Sequence, residues 1–237
     1  MQSTLPQLKL QRASDSIIQI LRDGITGRLF LPGQRLDVKD LARKLDVSLT
    51  PVKDALNRLA ADGLIEIRPR RGTFVADLTP EEVAETFEIR AALECLAAEK
   101  AMDRLTPQVL DRFRALIADL EKPVSSEKEG IAHEQKNVEF HNLLVELSGN
   151  RKLMEMYRSL KAHIQIVRIH YFSRDGWVKR TEKDEKAEHR EILEALAGRD
   201  KERLIRALRH HIQRASQCLV DDLKKERDLQ AAEPGRP

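Results

Sequence analysis

The sequence predicts a mainly α protein in two parts: three helices and a β-hairpin at the N-terminal end, followed by an all-α antiparallel helical bundle. Charged residues make up 34% and aromatic residues only 4% of the 237 residues, a composition rich in helix formers and poor in strand formers. Apolar residues recur at helical spacing along most of the chain. Short strand-like runs flank a turn only between residues 64 and 75.

The charge of the chain is divided unevenly between the two parts. Residues 1–75 carry 13 Lys and Arg against 8 Asp and Glu, whereas the remainder carries 29 against 31. The positive excess therefore lies where contact with phosphates is expected, although charge alone is equally compatible with a merely solvated basic surface. The sequence has neither a membrane-spanning apolar run nor a signal-peptide pattern, so we expect a soluble, cytoplasmic protein.

The first predicted helix runs from about Ala13 to Gly27 and ends before a turn signal at residues 31–34. Asp37 is the expected N-cap of a second helix. The apolar residues of this second helix follow at offsets of 0, 3, 4 and 7: Val38, Leu41, Ala42 and Leu45.

A third helix is predicted only four residues later, with Thr50 as its cap and Pro51 at its first position, where the missing N–H costs nothing. The helix reaches about Asp62 and ends at Gly63. Its outer face is polar and basic, with Thr50, Lys53 and Asn57 on one side. Two short helices joined by a tight turn, with such a face on the second, suit the major groove of DNA.

A β-hairpin is predicted next, with strands at residues 64–68 and 73–75 and a cationic tip at residues 69–72. A hairpin that directly follows a helix-turn-helix is a wing, and its tip can reach the DNA backbone or the minor groove. The alternative is a small α/β domain with an incidental basic turn. Taken together, the helices, the hairpin and the charge favour a winged helix-turn-helix over residues 1–76.

The segment "PGQRLDVKDLARKLDVSLTPVKDALNRLAADGLIEIRPRRGTFV" resembles the N-terminal domain of GntR-family regulators. The shared pattern is PG, LA, VS-x-TPV, AL-x-RL, a glycine, and a hairpin with an R-G-T tip. In that family the second helix, the start of the third helix and the wing tip contact DNA. By matching positions, the resemblance implies DNA contacts from Lys39, Ser48, Leu49, Thr50, Lys53, Arg71 and Gly72.

Two of these positions depart from the family pattern. Leu49 stands where the family usually has Arg, and Lys53-Asp54 stands where it has Arg-Glu. Leucine cannot make the bidentate bond that arginine makes to guanine, although it can pack on a thymine methyl group. We therefore expect the DNA-binding role to persist with a different operator sequence.

The second part begins after a short linker, with Thr79 as a helix cap and Pro80 at the first helical position. Six helical stretches follow, at about 80–104, 107–122, 131–148, 150–173, 183–197 and 200–229. They predict a second domain, residues 80–230, that folds as an antiparallel bundle.

The bundle resembles the effector-binding and dimerisation domain (FCD type) of the FadR-like branch of the same family. The matching pieces are "FEIRAALECLAAEKA", "NVEFHNLLVELSGN", "EHREILEAL" and "HHIQRA", in this order. The resemblance implies a homodimer on a palindromic operator, acting as a repressor or other regulator whose DNA affinity depends on a small metabolite, expected to be a carboxylate.

Many members of that branch hold a divalent metal with an Asp, a His four residues later and two further His. These positions fall on Asn137, His141, His189 and His211. The first two share a helix face, and a short turn makes the helices of the last two neighbours. Three imidazoles suit an ion of the zinc, nickel or manganese type with positions open to an organic acid.

The fourth position departs from the family, because Asn137 supplies a carbonyl oxygen without a charge. We therefore expect looser metal retention than with Asp and, on a net charge of +2, a stronger attraction for an anionic effector.

Arg90 and Arg168 are candidate clamps for the effector carboxylate, by bidentate pairing. The alternative for each is a structural salt bridge.

Two other functions compete with ligand-responsive regulation. A helical-bundle metalloenzyme is disfavoured, because no Glu-x-x-His pair, nucleophile motif or phosphate loop occurs. The other function is that of a DNA-binding dimer whose bundle is only a scaffold. Apolar residues in place of the three histidines would have favoured it.

Overall fold

The computed structural model describes residues 10–26, 29–77, 79–160 and 182–232. The chain divides into two compact units, Met1–Asp77 and Leu78–Pro237. The division lies beside the linker that the sequence indicates. The predicted mainly α class is confirmed, since strands occur only near residues 35–75 of the described chain.

The N-terminal unit contains three helices and a small sheet. The helices are α1 (Leu10–Thr26), α2 (Val38–Lys44) and α3 (Leu49–Ala61), and the strands are β1 (Arg35–Leu36), β2 (Ile65–Arg68) and β3 (Gly72–Val75). The sheet is antiparallel with the order β1-β3-β2. Helix α1 packs on α3. Their buried residues are Ile17, Leu21, Ile25, Val52, Ala55, Leu56 and Leu59.

Strand β1 was not predicted, because two residues are too few to show alternation. It pairs Arg35 with Phe74 of β3. Around it, the backbone N–H of Gly33 donates to the carbonyl of Val75 at 3.1 Å, and the N–H of Val75 donates to the carbonyl of Gln34 at 2.9 Å. These bonds fasten the turn before α2 to the base of the hairpin.

The start of α3 corrects the prediction that Thr50 caps it. The N-cap is Ser48, which has an extended backbone and no side-chain capping bond, so that Thr50 and Pro51 lie inside the first turn. Proline fits there because none of the first N–H groups of a helix has an intrahelical partner. Two other predictions are confirmed. The Asp37 side chain caps α2 by accepting from two of its N–H groups, and Gly63 follows the end of α3 with a φ of +73°.

The second unit is an all-helical bundle. Its elements are α4 (Pro80–Ala101), a 3₁₀ turn (Met102–Arg104), α5 (Pro107–Leu120), α6 (Glu127–Leu147), α7 (described over 151–160), α8 (Glu182–Ala197) and α9 (Lys201–Ala232). The later part of the predicted helix 150–173, with Arg168, lies outside the described residues. No helix in the described ranges is both long and apolar enough to cross a membrane.

The helix starts in this unit follow from their caps. Thr79 and Glu82 form a reciprocal capping box at α4, as the Thr79-Pro80 start predicts. Helix α6 begins at Glu127, four residues before the predicted start, because the Ser126 side chain accepts from the N–H of Glu129. The first turn of α6 is polar, so apolar periodicity did not reveal it.

The main core of this unit lies between α4, α5, α6, α8 and α9. Its fully buried members include Phe113, Phe140, Leu144, Ile192, Leu204 and Leu208. Phe140 precedes His141 on α6, and its ring lies 5.1 Å from that of His189. One edge of the apolar core therefore supports a polar cluster.

Candidate metal centre and candidate nucleic-acid interface

The residues expected to contact DNA lie on exposed parts of the N-terminal unit. Lys39, Ser48, Leu49, Thr50, Lys53 and Arg71 are exposed, and Gly72 is half-buried. Leu49, the first residue of α3, leaves 40% of its surface accessible. An exposed leucine at a helix start is compatible with reading a base edge.

The wing tip has a backbone that explains its glycine. Gly72 has a φ of +123°, and a Cβ there would lie 3.0 Å from Nε of Arg35. The N–H of Arg71 donates to the carbonyl of Arg68 at 3.1 Å, closing the turn. Gly72 therefore shapes the tip, and Arg71 carries exposed charge on it.

Three histidines from three helices meet inside the second unit. His141 lies on α6, His189 on α8 and His211 on α9, and none is more than 1% exposed. One ligand atom from each lies within 4.8 Å of the others. The Nε2 atoms of His141 and His211 are 3.2 Å apart.

This spacing fits a single divalent ion. Two nitrogen ligands held about 2.1 Å from one ion, at angles between roughly 90° and 110°, lie about 3.0–3.4 Å apart. The donor set is imidazole nitrogen, which zinc, nickel and related ions prefer. The three histidines that the family resemblance implies as ligands are therefore brought together in an arrangement that could hold a metal.

Asn137 joins this cluster from α6, one turn before His141. Its Oδ1 lies 3.1 Å from Nε2 of His189. Its Nδ2 donates to Oε2 of Glu134 at 3.3 Å. The amide is thereby oriented with its oxygen toward the histidines, where it could serve as a fourth ligand.

Glu94 on α4 bonds to the far side of His141. Its Oε2 lies 2.7 Å from Nδ1 of His141, and its Oε1 accepts from Nε of Arg90 at 2.7 Å and from the Tyr157 hydroxyl at 2.9 Å. Burial by itself would raise the pKa of the Glu94 carboxyl, but His141 and Arg90 outweigh burial and hold that pKa below its usual range. Glu94 is therefore a buried carboxylate.

Glu188 on α8 bonds to the Nδ1 side of His211, as Glu94 does for His141. Its Oε2 lies 2.9 Å from Nδ1 of His211, and its Oε1 accepts from Nε of Arg214. Two of the three imidazoles thus have a carboxylate behind them, the arrangement that orients histidine ligands in metal sites.

Arg90 is the only candidate clamp among the described residues. It is 2% exposed, and its Cζ lies over the Phe87 ring, 5.2 Å from the ring centre. Its Nε is bound to Glu94, but its Nη1 has no hydrogen-bond partner within the described chain. Arg90 therefore forms a structural salt bridge with Glu94 and still has an N–H donor to offer a ligand. Arg168, the other candidate clamp, lies outside the described ranges.

The sequence alone missed Glu94, Glu134, Glu188, Tyr157 and Arg214. Charged residues on helices are ordinarily solvated, so their types gave no signal of burial. Helical spacing could have found two of them, since Glu94 follows Arg90 by four residues and Glu134 precedes Asn137 by three. The expected net charge of +2 is also incomplete, because it counts none of these groups.

Family models match both units. Residues 13–75 match the gntR family of bacterial regulatory proteins, and residues 85–214 match the FCD domain. The chain is 31% identical over 217 residues to the HTH-type transcriptional repressor RspR of Escherichia coli, covering 88% of this chain and 90% of that protein. It is 29% identical over 201 residues to the uncharacterized regulator YdhC of Bacillus subtilis, covering 84% and 88%.

Solved structures show the same architecture. Escherichia coli McbR/YncC superposes with a TM-score of 0.74 at 24% identity, covering 91% of this chain and 99% of that one. A putative GntR regulator from Rhodococcus gives 0.72 at 25% identity, covering 88% and 97%. From its helix-turn-helix to its last bundle helix, this chain belongs to the GntR family, with an FCD domain, and is a DNA-binding transcriptional regulator rather than an enzyme.

Proposed function

We propose that the protein binds a palindromic operator as a homodimer and changes its DNA affinity when a small carboxylate binds beside a divalent ion in the helical unit. The observation that carries this proposal is the convergence of three buried histidines on one point, with facing Nε2 atoms 3.2 Å apart. Burying polar side chains costs free energy unless they are paired, and an ion would engage these four at once in addition to the hydrogen bonds that they make behind it.

His141, His189 and His211 would hold the ion, with Asn137 Oδ1 beside them. A divalent ion with three neutral protein ligands and a neutral amide keeps open positions and positive charge for a carboxylate oxygen. The unpartnered Nη1 of Arg90 is a buried donor whose charge the same ligand can use. A carboxylate therefore matches both features.

The exposed face of α3 and the cationic wing tip support DNA reading by the residues named above. A dimer places two such faces about one helical turn apart along a palindrome. An effector that binds one arrangement of the dimer better than another shifts the population toward it, and DNA affinity changes accordingly. Repression, the activity named for the relative RspR, is the mode we propose.

The test is a thermal-shift screen of small mono-, di- and hydroxycarboxylates on tag-free protein, with zinc and with a chelator. A ligand present at 100 times its Kd stabilises by about 2.7 kcal/mol. We expect some carboxylates to stabilise the zinc-loaded protein and to do so far less after chelation. Arg90→Lys keeps a cation beside Glu94 but removes the Nη donors, and it should reduce the response to the same ligands.

Arg114→Lys is the matched control, because Arg114 is an exposed arginine paired only with Asp111 in the described structure. A protein that responds to neither zinc nor any carboxylate would favour the alternative in which the bundle is a scaffold. Operator binding is tested separately by random-site selection, and recovery of no palindrome would overturn the dimer proposal.

A further inference from the structure

Glu94 and Glu188 stand behind two of the proposed metal ligands, and their positions constrain where the imidazole protons lie. Each carboxylate faces the Nδ1 atom of its histidine, at 2.7 Å for Glu94 and His141 and at 2.9 Å for Glu188 and His211. A carboxylate only accepts, so Nδ1 must donate in both pairs. The remaining nitrogen of each neutral ring, Nε2, then carries a lone pair.

The two nitrogens that carry these lone pairs lie close together. The Nε2 atoms of His141 and His211 are 3.2 Å apart, and the two rings are stacked within 18° of parallel. Lone pairs this close repel unless a proton or a metal ion lies between them, and a metal ion can accept from both. The two glutamates therefore arrange the imidazoles for a shared cation.

We propose that Glu94 and Glu188, each held by its own arginine, are outer-sphere positioning residues that fix His141 and His211 in the tautomer whose Nε2 atoms bind the metal. The inference rests on the proposed metal site and assigns residues that set its affinity. Arg90 holds Glu94 at 2.7 Å, and Arg214 binds Glu188 through Nε. Two Arg–Glu–His series thus approach the site from different helices.

The two series differ in burial, which makes the second one the better test. Arg90 and Glu94 have side chains 2% and 0% exposed, so Glu94→Gln would leave a buried arginine without its counter-charge and could prevent folding. Arg214 and Glu188 have side chains 21% and 9% exposed. Water can therefore compensate Arg214 in Glu188→Gln, and that variant is expected to fold.

The first measurement is zinc affinity by competition with a chromogenic chelator, on tag-free, full-length protein. Glu188→Gln is expected to bind zinc about 10- to 100-fold more weakly than wild type, as outer-sphere changes do elsewhere. Glu191→Gln is the matched control, three residues along the same helix. Glu191 pairs with Arg203 on the surface, at 2.7 and 2.8 Å. It should bind zinc as wild type does.

The second measurement is long-range ¹H–¹⁵N NMR of the imidazoles in metal-free protein, which separates the two neutral tautomers. Wild type should show the Nδ1–H form for His211, and Glu188→Gln should lose that single form, because an amide can donate as well as accept. A purely structural role for Glu188 would leave the tautomer unchanged.

Unchanged zinc affinity together with an unchanged tautomer in Glu188→Gln would overturn the proposal. A wild type that binds no zinc but shows the expected tautomers would instead overturn the metal site while sustaining the positioning role of the glutamates. The two failures are therefore distinguishable.

Discussion

Leu49 occupies the first helical position of α3 with 40% of its surface exposed. Replacing it with Arg should shift the selected operator toward guanine at one position per half-site, by about 1–3 kcal/mol, because arginine bonds bidentately to guanine and leucine cannot. The measurement is random-site selection with sequencing. Leu31→Arg adds the same charge at another exposed leucine of this unit and should leave base preference unchanged. Identical sites from wild type and Leu49→Arg would show that Leu49 does not face the bases.

Asn137 donates a hydrogen bond from Nδ2 to Oε2 of Glu134 at 3.3 Å. Asn137→Asp replaces this donor with a carboxylate oxygen, so the metal-free variant should lose at least about 1 kcal/mol of stability. The ion relieves the repulsion, so zinc should stabilise Asn137→Asp more than it stabilises wild type. Thermal unfolding with and without zinc measures both effects.

The double variant Asn137→Asp, Glu134→Gln restores a donor beside the new carboxylate. It should recover the metal-free stability that the single variant loses. His189→Ala should abolish the zinc response in either background. If Asn137→Asp is as stable as wild type without metal, Glu134 does not face residue 137 in solution.

At the scale of elements, the wing and α2 offer exposed cations for the DNA backbone. Arg71→Ala and Lys39→Ala should each weaken operator binding and reduce the slope of log K against log salt by about 1, the value for one lost phosphate contact. Lys152→Ala removes an exposed lysine of α7 and should leave the slope unchanged. If Arg71→Ala and Lys39→Ala keep the wild-type slope, as Lys152→Ala should, neither Arg71 nor Lys39 contacts a phosphate.

The elements that apolar or capping patterns mark were predictable from the sequence. The capping box at Thr79 and the left-handed Gly63 are local features, determined by a few neighbouring residues. Strand β1 is different, because its two residues become a strand only through pairing with β3. The site divides in the same way. The family resemblance marked the three histidines, but the burial of Glu94 and Glu188 depends on helices far apart in the sequence.

At the scale of the whole molecule, the chain consists of two compact units, and every proposed metal ligand lies in the second. An ion that binds only the folded state stabilises the unit that holds it. Zinc should therefore slow amide hydrogen exchange in α6, α8 and α9 and leave α2, α3 and the wing unaffected in DNA-free protein. Mass spectrometry of peptides from the two units measures this.

The control for that experiment is His189→Ala, in which zinc should slow exchange in neither unit. Protection that extends equally over residues 35–75 would contradict a site confined to the second unit. It would also show that the ion binds residues other than the three histidines.

The burial of the histidines affects how fast the site can be reached as well as how tightly it binds. Since His141, His189 and His211 are at most 1% exposed, an ion held there can leave only when the surrounding helices open, and such opening is slow compared with the diffusion of a small molecule. A carboxylate that reaches the same buried ion must pass the same helices, so the effector would also enter only when they open. The rate at which the protein responds to its effector is therefore expected to follow that opening and not diffusion.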